Sequence, residues 1–108
     1  PTEISLSQNY PNPFNPITTI KYWLNVEANS RIVVFNSLGQ EIEVLVNTVQ
    51  TAGNYSVNWN ADNYASGIYF YSFEVTDLSN TLLHKEMKKL TRVFTSYHQN
   101  QTLIKPYF

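Results

Sequence analysis

Two histidines, His84 and His98, carry the side chains best suited to general acid–base chemistry near neutral pH. A catalytic histidine needs an orienting carboxylate and a nucleophile beside it, and no nucleophile-elbow sequence occurs in the chain. The chain also contains no cysteine, which excludes disulfides and thiolate metal sites. We therefore interpret both histidines as structural, and we expect a protein that is not an enzyme and holds no cofactor.

The stretch Asn60-Ala61-Asp62-Asn63 offers oxygen atoms of the kind that calcium binds. A calcium site needs roughly six to eight oxygen ligands and usually more than one carboxylate. This stretch has a single carboxylate, so we interpret it as an Asx-rich turn between two strands and expect no metal site.

Four aromatic residues cluster at Tyr69, Phe70, Tyr71 and Phe73, where a sugar ring could stack on an aromatic face. Successive residues of a strand point to opposite faces, so Phe70 cannot share a platform with its neighbours. We therefore interpret the cluster as core packing. Trp23 is the better candidate for an exposed aromatic, because it alternates with polar residues.

Three lysines, Lys85, Lys88 and Lys89, form a basic cluster near the end of the chain. They suit either an anionic surface or receptor, or a solvated strand edge that discourages edge-to-edge aggregation. Residues 1–84 carry two basic and seven acidic side chains, whereas residues 85–108 carry five basic side chains and one acidic. This asymmetry predicts that the basic tail folds back on the acidic body or binds another partner. The net charge of −1 argues against nucleic acid as that partner.

Apolar and polar residues alternate with a period of two along the chain, and no stretch keeps a helical period. The cleanest run places Tyr55, Val57 and Trp59 on one face. Turn-forming residues separate the runs, which indicates a two-sheet antiparallel sandwich with four connections short enough to be hairpins. The predicted strands are residues 4–6, 18–24, 31–35, 41–46, 54–59, 68–76 and 81–90.

The sequence also predicts two local features between residues 31 and 46. Gly39, in the turn after residues 31–35, is expected to have the positive φ that such a turn requires. In the run that follows, Ile42, Val44 and Val46 are expected to share one face.

The octapeptide of residues 9–16, Asn-Tyr-Pro-Asn-Pro-Phe-Asn-Pro, is the most distinctive segment of the chain. Its three prolines fix φ, remove three backbone donors and push the preceding residues toward extended geometry. The segment is therefore expected to be a stiff, extended lead-in, with Tyr10 and Phe14 able to anchor it on a sheet.

The octapeptide also carries a resemblance. Together with residues 5–8, 18–22, 34–42, 52–59, 65–71 and 85–87, it resembles the type A C-terminal sorting domain of the type IX secretion system. These motifs occur in the right order and cover about residues 4–90. That Ig-like module ends many proteins exported by Bacteroidetes and related bacteria, and the Ig-like domain of flagellar hook-cap proteins is closely related to it.

The resemblance implies an all-β, Ig-like antiparallel β-sandwich of about seven strands. Such a module directs an upstream cargo protein through the periplasm and outer membrane to the cell surface or medium. The implied partners are the outer-membrane type IX translocon, its surface-processing protease and the cargo domain. The candidate sorting and recognition residues are Pro11, Asn12, Pro13, Gly39, Gly67, Tyr69, Lys85, Lys88 and Lys89.

We expect three segments: a Pro/Asn-rich linker and lead-in (residues 1–17), the sandwich (18–90) and a basic, apolar tail (91–108). Because the chain begins at Pro1 and has no signal peptide, we expect it to be a piece of a longer protein. No apolar run approaches the roughly 18 residues that span a bilayer. The alternative function is a structural or adhesive Ig-like accessory domain, with a glycan as one ligand, attached to a secreted enzyme. Self-association through the tail or an edge strand is a further expectation.

Overall fold

A computed structural model describes residues 3–93 as seven antiparallel strands. The expected all-β sandwich of about seven strands is confirmed. Within residues 3–93, no helix is long and apolar enough to cross a membrane. The strands are β1 (Ser5–Leu6), β2 (Ile17–Leu24), β3 (Ala28–Phe35), β4 (Glu41–Gln50), β5 (Gly53–Asn60), β6 (Gly67–Thr76) and β7 (Leu82–Arg92).

The strands form a three-stranded sheet in the order β1-β2-β5 and a four-stranded sheet in the order β4-β3-β6-β7. Among the connections that are short enough to be hairpins, β3–β4 and β6–β7 join neighbouring antiparallel strands as hairpins. The connections at residues 25–27 and 51–52 instead carry the chain from one sheet to the other. A connection of two or three residues can span the roughly 10 Å between packed sheets, so its length alone does not identify a hairpin.

The core lies between the two sheets and follows the predicted alternation of β2, β5 and β6. Trp59 is fully buried, and on β6 the side chains of Tyr69, Tyr71 and Phe73 all point inward. Phe70 lies on the opposite face and is half-buried. The aromatic cluster is therefore core, as its spacing predicted. The buried residues of β2 are Thr18, Ile20, Tyr22 and Leu24.

The expected shared face of Ile42, Val44 and Val46 is wrong. Two register shifts in the β3–β4 pairing leave Leu45 and Ile42 as extra residues on β4. Each extra residue reverses the alternation that follows it. As a result Val44 lies on the outer face, 45% exposed, while Glu43 points toward the core.

The turn at residues 60–63 is the Asx-rich turn that its composition predicted. The backbone N–H of Asp62 donates to Oδ1 of Asn60 at 2.9 Å, and that of Tyr64 donates to the carbonyl of Ala61 at 2.9 Å. The polar side chains of this stretch therefore close a turn between β5 and β6.

Candidate functional site

The three lysines lie on β7, the edge strand of the four-stranded sheet, but they do not form one patch. Strand alternation places Lys85 and Lys89 on the exposed outer face and Lys88 on the inner face. Lys85 Nζ lies 3.4 Å from Oε2 of Glu74, and Lys88 Nζ lies 3.1 Å from Oε2 of Glu86. Within residues 3–93, Lys89 is exposed and makes no ion pair.

The inner face of β7 carries a small polar cluster centred on Glu86. His84 Nε2 lies 2.9 Å from Oε1 of Glu86, and the His84 ring packs against Phe73 with a centroid distance of 5.7 Å. These contacts support the structural role that we assigned to His84. His98 lies outside the described residues.

Glu86 also links the stability of the fold to pH. Burial by itself would raise the pKa of Glu86, but its hydrogen bonds with His84 and Lys88 outweigh burial and lower the pKa. A carboxylate with a lowered folded-state pKa stabilises the fold above its unfolded value and loses that contribution as the pH falls through the folded value.

We therefore expect the stability advantage of the parent over Glu86→Gln to be full at pH 7. It should shrink as the pH falls below the ordinary glutamate pKa of 4.5 and be lost once the pH has passed below the lowered folded-state pKa. Urea unfolding at several pH values measures this difference. In Lys88→Gln, which removes one partner, an NMR titration should show a higher Glu86 pKa. A parent advantage that stays constant from pH 7 to pH 2 would contradict the assignment.

The Pro/Asn-rich lead-in docks against the C-terminal end of β7. The backbone N–H of Thr91 donates to Oδ1 of Asn12 at 3.0 Å, and the carbonyl of Thr91 accepts from the Phe14 N–H at 3.0 Å. The Val93 N–H donates to the Phe14 carbonyl at 3.0 Å, and the Gln8 side-chain amide donates to the Lys89 carbonyl at 2.8 Å. Two segments about 80 residues apart in sequence are thus joined along one edge.

This docking places the candidate residues of the lead-in beside the terminal strand. Pro11, Asn12 and Pro13 are all exposed. The side-chain oxygen of Asn12 accepts its hydrogen bond from β7. Of the two expected anchors, only Phe14 is buried, at 1% exposure. Tyr10 pairs with β2 through its backbone, but its side chain is 80% exposed.

A buried tyrosine and a buried asparagine hold the start of the lead-in. Neither residue was predicted to have this role. The Tyr71 hydroxyl donates to the Ser7 carbonyl at 2.7 Å and accepts from the Asn9 N–H at 2.9 Å. The Asn9 side-chain amide donates to the Thr18 hydroxyl at 2.9 Å. Burial raises the pKa of Tyr71 to about 12, so the hydroxyl remains a donor at neutral pH.

A buried arginine holds the other end of the lead-in, and it lies in a segment that we expected to be only a basic, apolar tail. Arg92 is 3% exposed and is the last residue of β7. Its guanidinium donates to Oδ1 of Asn15 at 2.6 Å, to the Ala61 carbonyl at 3.1 Å and to the Val93 carbonyl at 2.7 Å. Arg92 therefore connects the lead-in, the β5–β6 turn and the chain exit. No local sequence signal distinguishes it from the exposed lysines before it.

The remaining candidate residues have clear positions in the framework. Gly39 has φ of 82° in the β3–β4 hairpin, as expected, and its N–H donates to the Asn36 carbonyl at 2.9 Å. Gly67 opens β6 opposite Arg92. Tyr69 is buried, and its hydroxyl donates to the Ala65 carbonyl at 2.5 Å. Gly67 and Tyr69 thus lie at the same end of the sandwich as the joined lead-in, and Gly39 lies in the β3–β4 hairpin at that end.

These features define a class of protein: a small β-sandwich whose N-terminal lead-in is hydrogen-bonded to the edge of its last strand. Within residues 3–93, no group of three or more His, Cys, Asp or Glu residues is arranged to hold a metal ion. The sequence model of the family described as "Secretion system C-terminal sorting domain" matches residues 8–89, and the chain belongs to that family. Domains of this family are non-catalytic type IX sorting signals, and they send their proteins through the outer membrane to the cell surface or medium.

Among solved structures, the chain is similar in fold to CopC from Methylosinus trichosporium OB3b, with a TM-score of 0.52. The two sequences are 15% identical, and the alignment covers 83% of this chain and 93% of that one. The search of curated proteins found no match.

Proposed function

We propose that this domain is the non-catalytic sorting module of a larger exported protein and that the type IX translocon recognises it as a folded surface. The observation that carries this proposal is the joined edge formed by the lead-in and β7. The family match begins in the lead-in and ends in β7, at residues 8 and 89, and these are the residues that the Gln8–Lys89 hydrogen bond connects. A surface built from both ends of the matched sequence exists only after folding.

The geometry suits a cargo domain attached before residue 3. Glu3 and Ile4 line a cavity with Val26 and Leu83, at the end of the sandwich that contains the β2–β3 connection. Asn15 and Arg92 line a second cavity beside the β5–β6 connection, at the opposite end. Cargo at the first end would leave the joined edge accessible to the translocon and to a surface-processing protease.

The test is export of a reporter fused behind a signal peptide and in front of the domain. Fusions ending at residue 93 or 108 should both reach the surface of a type IX-competent host and stay in the periplasm of a host lacking the translocon. Ending at 93 keeps the buried Arg92 and the Val93 contacts. Surface protease accessibility of the reporter measures the outcome.

Retention of both fusions in the periplasm of the competent host would overturn the proposal. Export of the shorter fusion alone would show that residues 94–108 mask the signal.

The second candidate function is an adhesive accessory domain. The observation that favours it is Tyr10, whose exposed ring lies beside Gln8, Thr19 and Lys21 in a shallow cavity on the three-stranded sheet. An exposed aromatic ring with amide, hydroxyl and ammonium groups around it suits a sugar. Trp23, which we expected to be the exposed aromatic, is half-buried. Retention of the reporter together with glycan binding that Tyr10→Ala abolishes would favour this function.

A further inference from the structure

The outward-facing edge of β7 is only partly covered by the lead-in. The hydrogen bonds to the lead-in use the carbonyl of Lys89, both backbone groups of Thr91 and the N–H of Val93. All three are odd-numbered residues, and in an antiparallel strand the backbone groups of alternate residues point to the same side. The N–H and C=O groups of Lys85 and Met87 therefore point away from β6, toward the same edge.

No residue between 3 and 93 hydrogen-bonds to Lys85 or Met87 on that side. We call the backbone groups of Lys85 and Met87 and the N–H of Lys89 on this side the open edge; the Lys89 carbonyl is already bonded to Gln8. Its side chains alternate in the usual way: Lys85, Met87 and Lys89 all project from the outer face of the sheet. The Lys85 side chain is 61% exposed, and Met87 is 55% exposed. The open edge is thus a short strand edge with a Lys–apolar–Lys row beside it.

We propose that the open edge binds an extended acidic strand of another protein, which adds to the four-stranded sheet as a fifth strand. Strand addition supplies affinity through main-chain hydrogen bonds and specificity through alternate side chains. A partner strand that alternates carboxylates with apolar residues would place its carboxylates on the outer face, opposite Lys85, Met87 and Lys89, and its apolar side chains on the inner face. Cross-strand pairs of opposite charge are stabilising.

Charge disfavours two other occupants of the open edge. A second copy pairing antiparallel about Met87 would place Lys85 opposite Lys89, and like charges directly opposite destabilise a sheet. The chain's own residues 94–108 contain Lys105 and His98 but no acidic side chain. The lysines therefore disfavour pairing with a second copy or with residues 94–108, and they favour a carboxylate-bearing partner. The proposal does not depend on the export function, because it concerns binding by the isolated chain.

The experiment uses the 108-residue chain and a synthetic nine-residue peptide that alternates Glu with Val. NMR titration should shift the amide signals of Lys85, Met87 and Lys89, and hydrogen exchange at Lys85 and Met87 should slow. The matched peptide that alternates Lys with Val should produce neither change. Equal binding of both peptides, or no shift at residues 85–89 with millimolar peptide, would overturn the proposal. Slow exchange already present in the free chain would also overturn it, since the chain itself would then occupy the edge.

Met87→Pro tests strand addition most directly. The Met87 N–H faces the open edge and takes no part in the hydrogen bonds to β6, so the substitution removes only a donor of the open edge. Proline is tolerated at such edge positions. We expect Met87→Pro to weaken peptide binding at least tenfold, while Met87→Ala, which keeps the donor, binds within about threefold of the parent. Unchanged binding by Met87→Pro would contradict strand addition.

If Met87→Pro does not fold, the double variant Lys85→Glu/Lys89→Glu gives an independent answer. It should lose the Glu peptide and gain the Lys peptide. Failure to exchange the two preferences would contradict the role of charge.

Discussion

We expect Trp59→Ala to lower the free energy of unfolding by about 3–5 kcal/mol, the range for removal of a buried large aromatic side chain. Trp59 is fully buried, and its ring contacts Phe14, Tyr64 and Tyr69 at centroid distances of 5.6, 5.6 and 5.4 Å. Its indole N–H also donates to Oε1 of Glu43 at 3.0 Å. The substitution therefore opens a cavity between the sheets and leaves an inward-pointing carboxylate without that donor.

Urea unfolding measures this loss, and thermal unfolding should show a fall in Tm of more than about 10 °C. Trp23→Ala is the matched control, because Trp23 is half-buried on the outer face of β2, in the three-stranded sheet. We expect it to cost about 1–2 kcal/mol, in proportion to the smaller apolar area that it buries. Equal losses for the two tryptophans would show that Trp59 does not hold the core.

The second large effect concerns the lead-in. We expect Phe14→Ala to cost about 3–5 kcal/mol, because Phe14 is 1% exposed and packs on Trp59. The loss of this anchor should also free the backbone pairing of residue 14 with Thr91 and Val93. The donors in that pairing are the N–H groups of residue 14 and Val93, so exchange of these two amides should speed up. A detached linker would produce neither effect.

Tyr10→Ala is the internal control for the same segment. The Tyr10 ring is 80% exposed, so its removal should change stability by no more than about 0.5 kcal/mol. The two substitutions remove rings that lie four residues apart in one octapeptide. If they destabilise the domain equally, the docking of the lead-in through Phe14 is wrong.

Local patterns predicted most of the strands. In β5 and β6 every inward side chain lies where the period-two alternation places it, because an uninterrupted strand between two sheets has only two faces. The positive φ of Gly39 and the Asx turn at residues 60–63 were also predictable, since both are set by residues within a few positions of each other. The alternation of β4 failed because its two extra residues depend on the pairing with β3 and leave no mark in the local pattern.

The candidate site was predictable only as separate pieces. The sequence by itself determined that the chain is an all-β sandwich, that it carries a proline-stiffened lead-in and that lysines lie near its end, because composition and short-range periodicity govern these features. Only the tertiary structure decided that Asn12 and Phe14 bond to the end of β7 and that Arg92 is buried. These contacts join residues nearly 80 positions apart, and the order of strands in the sheets, which no local pattern encodes, brings them together.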